Sequence, residues 1–201
     1  MGIFDLFFPK KCLGCKVEGG YLCSRCLNVA RRGWQRGNAL VLFRYQGVVK
    51  KAILTLKYKF VSDISERLAE ICAVEIGRRR VKLDRPVLIP IPLYTRRKNW
   101  RGFNQAEKVG KRLAQKLGWQ YEPRLLWRII PTQPQVGLPR EKRLRNISGK
   151  YAVNSEILKL YRGKTLVLFD DVVTTGTTLN EAEKALREYG IKRIQKLAIA
   201  G

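Results

Sequence analysis

The chain contains no histidine, and this one absence excludes Ser-His-Asp and Cys-His catalysis, His-ligated zinc and imidazole acid–base chemistry. Any proton shuttle must be a carboxylate, lysine, tyrosine, water or the substrate itself. Acids are scarce as well: 16 Asp+Glu stand against 41 Lys+Arg, for a formal net charge of +25. No apolar run reaches the roughly 18–20 residues that a bilayer span needs, so no membrane insertion is expected. The apolar start at 3–8 carries Asp5, has no basic stretch before it and shows no small-residue cleavage pattern. It is therefore not read as a secretory signal, and a cytoplasmic location is expected.

What is present suits a globular chain: 201 residues, 45% hydrophobic and 28% charged, enough for one main domain with a small appendage. The basic excess is not spread evenly. Residues 1–60 hold 12 basic and 2 acidic side chains and residues 96–150 hold 15 and 3, whereas 61–95 hold 6 and 5 and 151–201 hold 8 and 6. Ion-pair networks of a stabilised surface would need matching acids, which are missing here. Two clusters of unmatched cations predict a polyanionic partner, held by Coulomb steering and counterion release.

Four of the five cysteines form two CxxC pairs, Cys12-Leu13-Gly14-Cys15 and Cys23-Ser24-Arg25-Cys26, separated by a short ribbon containing Gly19-Gly20. Each turn can aim two thiolates at one ion, and four sulfurs complete a closed tetrahedral zinc shell that leaves no open position for catalysis. Lys10, Lys11, Lys16 and Arg25 offset the charge of a tetrathiolate. Paired redox motifs would each need a helix start after a strand, for which the segment is too short. A structural zinc bound by Cys12, Cys15, Cys23 and Cys26 is expected, and Cys72, alone in an apolar helical pattern, is read as a buried hydrophobe.

The stretch 31–38 is basic and glycine-punctuated and reads as a linker or loop, giving a zinc-knuckle module with basic linker at 1–36 and a main domain at 37–201. Beyond it, strands are predicted at 39–45, 86–92, 125–130, 151–153, 165–169 and 193–200, and helices at 48–60, 63–79, 102–118 and 177–189. Asp63 is the expected N-cap of the second helix, with Glu66 in a capping-box position. The stretch 131–149 reads as a basic Pro/Gly-punctuated loop. Alternating strands and helices with crossover-length connections predict an α/β domain with a mostly parallel sheet, whose ligands bind beyond the carboxyl ends of the strands.

The most specific segment runs Leu166-Val167-Leu168-Phe169-Asp170-Asp171-Val172-Val173-Thr174-Thr175-Gly176-Thr177-Thr178. An apolar strand delivers two adjacent carboxylates to its end, and a Thr/Gly turn then opens a helix. Backbone N–H groups and hydroxyls at such a helix start cradle a phosphate dianion. The carboxylates cannot also bind that phosphate; they suit neutral hydroxyls, a metal or a developing cation. A ribose 5-phosphate satisfies both halves.

At these thirteen positions the chain resembles type I phosphoribosyltransferases. The resemblance implies that Thr174, Thr175, Gly176, Thr177 and Thr178 hold the 5-phosphate of phosphoribosyl pyrophosphate (PRPP). Asp170 and Asp171 would hold the ribose 2- and 3-hydroxyls and favour the oxocarbenium-like cation that develops as magnesium pyrophosphate departs. More narrowly, five features occur together and in this order in the ComF (ComFC) competence family, which the chain is similar to over essentially its whole length. They are the four-cysteine knuckle, the Pro90-Ile91-Pro92 strand end, Arg101-Gly102-Phe103-Asn104-Gln105-Ala106, a loop from Gln133 through Arg140 to Asn146, and the acidic phosphate loop.

That family is associated with natural transformation and the handling of single-stranded DNA. Carried over by position, 93–97 would be the pyrophosphate loop with Arg96 and Arg97 on the diphosphate. Arg101 and Asn104 would contact phosphate or orient that loop, and the 132–146 segment would close over PRPP with Gln133 and Arg140 as contacts.

Two functions follow as expectations. One is a DNA-uptake protein that binds PRPP with Mg2+ and also single-stranded DNA, working with a helicase-type competence protein. The other is an active phosphoribosyltransferase with an unidentified nitrogenous acceptor. Trp34, Trp100, Phe103, Trp119 and Trp127 are available as stacking platforms for bases, although aromatics at such spacings more often belong to the core.

Overall fold

Strands that read as unbroken apolar runs need cover on both faces, and this requirement organises the molecule. A computed structural model describes residues 10–58, 62–93, 102–128 and 150–201. Its main sheet has the order β1-β2-β8-β7-β3-β4, with β1 (Gln35–Arg36), β2 (Ala39–Phe43), β3 (Pro86–Pro90), β4 (Gln120–Tyr121), β7 (Thr165–Val172) and β8 (Ile194–Ala200). Every neighbouring pair is parallel except β1 with β2. A second, two-stranded antiparallel ribbon joins β5 (Leu126–Arg128) to β6 (Tyr151–Val153).

Period-2 alternation splits the strand side chains between two cores. On one face Leu40, Leu42, Leu88, Val167, Phe169, Leu197 and Ile199 pack with helices α2 (Gly47–Tyr58), α3 (Ser62–Arg78) and α4 (Gln105–Leu117). On the other, Val41, Val87, Ile89, Leu166, Leu168 and Ala198 pack with α5 (Ser155–Lys159), α6 (Thr177–Glu188) and the β5–β6 ribbon. Cys12 and Leu22 of the cysteine segment, which precedes and includes the short helix α1 (Ser24–Asn28), are buried in the first of these cores.

Most predicted elements are present within a few residues of the expected bounds, and the differences have physical causes. Of the stretch 31–38, read as a linker or loop, residues 31–36 lie along β2: Val41 N–H donates to Trp34 O at 2.8 Å and Gly33 N–H to Leu42 O at 2.9 Å. Long-range pairing supplies what its local pattern lacks. The expected cap Asp63 lies inside the first turn of α3, and Glu66 bonds not to its own backbone but to Arg112 and Lys116 of α4, at 3.0 and 2.5 Å. Helix α4 begins at Gln105 rather than 102, because Asn104 caps it by accepting from Ala106 N–H at 2.9 Å. Strand β7 continues past 169 to Val172, carrying the acidic pair within the sheet.

Gly33 is where the β1 side approaches most closely: a Cβ there would fall 2.7 Å from the carbonyl carbon of Val41 and 2.9 Å from Phe43 N. Because both obstacles are backbone atoms of a buried strand, Gly33→Ala is expected to cost about 2–3 kcal/mol. Thermal melting should show a loss of roughly 5–10 °C; an unchanged midpoint would mean that β1 is free to move away from β2.

Candidate functional site

The alternation of β7 decides how its two adjacent carboxylates are used. Asp171 continues the Val167–Phe169 face toward α2, and there Lys57, from the last turn of α2, places Nζ 2.9 Å from Asp171 Oδ2. The contact is an ion pair without hydrogen-bond alignment, so this buried oxygen has a counter-charge yet receives no aimed donor among the described residues. Asp170 continues the Leu166–Leu168 face; its Oδ1 accepts the backbone N–H of Asp171 at 2.9 Å. Burial of the Asp170 carboxyl, followed by the neighbouring Asp171 charge, pushes its pKa up to about 8, against the pull of the Asp171 N–H and of Lys57. The pair is thus split into one neutralised carboxylate and one that holds a proton near neutrality.

Past β7, Val173 N–H bonds Ala200 O at 2.8 Å and anchors the start of the threonine turn. Gly176, at φ 78°, is the N-cap of α6 and brings no side chain to cap it, while Thr175 Oγ1 accepts the Thr177 N–H at 3.4 Å. That left-handed backbone suits glycine. Thr175 and Thr177 share a hydroxyl–hydroxyl bond of 2.8 Å, and no acid lies in the first turn of α6. The result is a glycine-capped helix start ringed with hydroxyls, a few residues from the carboxylates: an arrangement suited to an anion beside an acceptor of hydroxyl hydrogen bonds.

The four-cysteine cluster forms a second centre. The Sγ atoms of Cys12, Cys15, Cys23 and Cys26 all lie within 4.8 Å of one another, and Cys15 and Cys23 are 3.5 Å apart. Zinc–thiolate bonds of about 2.3 Å require sulfurs ~3.8 Å apart, so modest adjustment closes the shell. Cys12 is held down to about 6: burial opposes ionisation, but hydrogen bonds from Cys23, Cys15 and Gly14 outweigh it. Cys15 is lowered chiefly by the Val17 backbone, whereas hydrogen bonding with Cys15 and Cys23 pushes Cys26 up to about 12. Four sulfurs gathered this closely form a donor set of the size and type that a tetrahedral cation takes. Gly14 leaves the space the sulfurs occupy, since a Cβ there would sit 2.6 Å from Cys26 Sγ. The donor set and its packing fit a structural metal such as zinc. Cys72 is fully buried and its thiol is raised far above the usual range by desolvation, in keeping with a core role.

A phosphoribosyl transferase domain model matches residues 105–200. "Competence protein F" of Haemophilus influenzae is 29% identical over 194 residues, covering 94% of this chain and 83% of that protein. "DNA utilization protein YhgH" of Salmonella typhi is 30% identical over 190 residues, covering 92% and 81%. The chain belongs to the ComF family. Among solved structures, the ComF-family chain is similar to an allosteric regulatory enzyme of purine biosynthesis at 18% identity and a TM-score of 0.43, over 68% of this chain and 26% of that one.

For this ComF-family chain the structure brings Asp170, Asp171, Thr174, Thr175, Gly176, Thr177 and Thr178 together at the carboxyl end of β7. Arg96, Arg97, Arg101, Gln133 and Arg140 lie outside the described residues. Asn104, expected to contact phosphate or orient the loop before it, is buried and donates to Ile91 O at 2.9 Å while capping α4. It therefore ties the two ends of the 92–103 connection beside β7. Of the five aromatics offered as stacking platforms, Phe103 is buried, Trp34 and Trp119 pack against the cores, Trp127 is exposed, and Trp100 lies outside the described residues. Lys57 was not foreseen: on an amphipathic helix a lysine reads as a solvated charge, and only the sheet brings Asp171 to it.

Proposed function

We propose that this chain binds PRPP with magnesium at the end of β7 and binds single-stranded DNA, acting in DNA uptake. The observation that carries this reading is the pairing of a glycine-capped, hydroxyl-lined helix start with two carboxylates a few residues away. A 5-phosphate fits the first and a ribose diol the second. The names of the competence and DNA-utilization relatives support the biological setting. The excess of cations supports the nucleic-acid part.

A second reading, transfer of the phosphoribosyl group to a nitrogenous acceptor, is favoured by the raised carboxyl of Asp170. In that reaction the acceptor nitrogen bonds to C1 of the ribose, the C1–O bond to pyrophosphate breaks with its electron pair, and the acceptor proton passes to a base. A carboxylate held near neutrality suits that duty.

Calorimetry of PRPP with magnesium tests the binding site. An acid whose folded-state pKa is raised stabilises the fold while protonated and loses that contribution as pH rises. Wild type should therefore lose melting temperature relative to Asp170→Asn between pH 5 and pH 8, the difference having the slope of about one proton because the cysteine contributions are common to both chains. Ribose hydroxyls donate to the ionised form, so binding at pH 7 should release a proton, seen as different heats in buffers of different ionisation enthalpy. Binding without proton release would place the diol away from Asp170.

A further inference from the structure

Parallel pairing gathers the turns that lead into neighbouring strands at one end of a sheet. Register sets Pro86 beside Thr165 and Leu166 beside Ile194, so the turns preceding β3, β7 and β8 are neighbours. Together they line a cleft of about 560 Å³ whose described lining includes Arg85, Arg162, Lys164, Lys192, Arg193 and the exposed Tyr189, and none of that lining is acidic. Asp84 stands next to it and engages Arg193 at 2.7 Å and Arg85 at 3.5 Å. Both guanidinium groups also donate to Gly163 O at 3.4 Å, which fixes their position. Arg162 and Lys192 make no ion pair among the described residues.

The helix dipole explains only part of this. Cations near the C-terminus of α6 are stabilised by it, which accounts for Lys192 and Arg193, but Arg85, Arg162 and Lys164 lie before the starts of strands. One carboxylate against five cations leaves an unbalanced pocket on a chain that already carries +25. Holding like charges together costs free energy, and a polyanion offsets that cost.

We propose that this cleft is a binding site for single-stranded DNA, with backbone phosphates between the cations and an unpaired base stacked on Tyr189. The aromatic favours a single strand, because the bases of a duplex are already stacked. This rests on the DNA-binding part of the function proposed above and assigns it a place. Five to six residue steps of β7 separate its start at the cleft from the acidic pair, about 17–20 Å, too far for one sugar phosphate to touch both. PRPP and DNA would occupy opposite ends of the sheet at the same time.

The test is fluorescence anisotropy of a labelled oligothymidine with the full chain between about 50 and 200 mM salt. Arg162→Gln with Lys192→Gln should weaken binding about tenfold or more and make the log–log salt slope shallower by ~1.4, for two lost contacts to a single strand. Tyr189→Ala should weaken it about fivefold or more, and Tyr189→Phe should restore it. Lys50→Gln with Lys51→Gln, on the exposed face of α2, serves as an equal-charge control and should change little. The PRPP-induced rise in melting temperature should survive in every variant, which also shows that each folds. Wild-type binding that all variants retain, or a control pair that loses as much, overturns this site while leaving DNA binding intact. A wild-type chain that ignores the oligonucleotide overturns both.

Discussion

Stripping the metal from the four-cysteine knuckle is expected to release about one zinc per chain and to lower the melting temperature by more than ~10 °C. Structural zinc sites in small peptides contribute an apparent ~10–16 kcal/mol at neutral pH, which matches or exceeds the ~5–15 kcal/mol stability of a whole domain. The loss should not stay local, because Cys12 and Leu22 are buried in the same core as α2 and α3. Cys23→Ser should reproduce it: Cys23 Sγ lies 3.5 Å from Cys15 Sγ and also accepts the Cys26 N–H at 3.4 Å, capping α1. Thiol titration gives an independent readout. Four cysteines should react once the metal is removed, while Cys72 stays silent until the chain unfolds, since desolvation keeps it protonated. Protein that contains no metal by elemental analysis and melts identically with and without chelator would show that the sulfurs merely pack.

The second large effect concerns the carboxylates. PRPP with magnesium at about a hundred times its dissociation constant should stabilise the folded state by ~2.7 kcal/mol, a rise of roughly 5–10 °C for a chain of this size. Asp170→Asn with Asp171→Asn should abolish that rise, because both diol acceptors lose their charge while the threonine cradle stays intact. The double variant has its own cost without ligand. Replacing Asp171 strands Lys57, whose side chain is only 19% exposed, without its counter-charge. Adding Lys57→Met should recover ligand-free stability without recovering the response to PRPP, which separates a folding defect from a binding defect. A double variant that still responds in full would move the sugar to another part of the molecule.

Elements and chemistry that depend on near neighbours were readable from the chain alone. Two CxxC turns name their own ligands, because three-residue spacing brings each pair of sulfurs to one side of a turn, and the thirteen residues from Leu166 to Thr178 carry strand, acids, cradle and helix start in a single stretch. Helix ends were less legible. Asp63 reads as a cap but lies inside the first turn, and Glu66 is drawn to Arg112 and Lys116 rather than to its own backbone. The run 31–38 reads as a loop because the short edge strand within it has no periodicity of its own and is made by its partner β2.

By itself, then, the order of residues determined the α/β class, the four-cysteine cluster and the threonine-rich helix start behind two adjacent acids, all short-range properties. Only the tertiary structure decided that Lys57 neutralises Asp171 and not Asp170, that the knuckle shares a core with α2 and α3, and that Arg85, Arg162 and Arg193 stand around one cleft. The reason is the register of a parallel sheet. It is set by pairing between strands far apart in the chain, and it chooses which face each side chain takes and which turns become neighbours without leaving a local mark in the sequence.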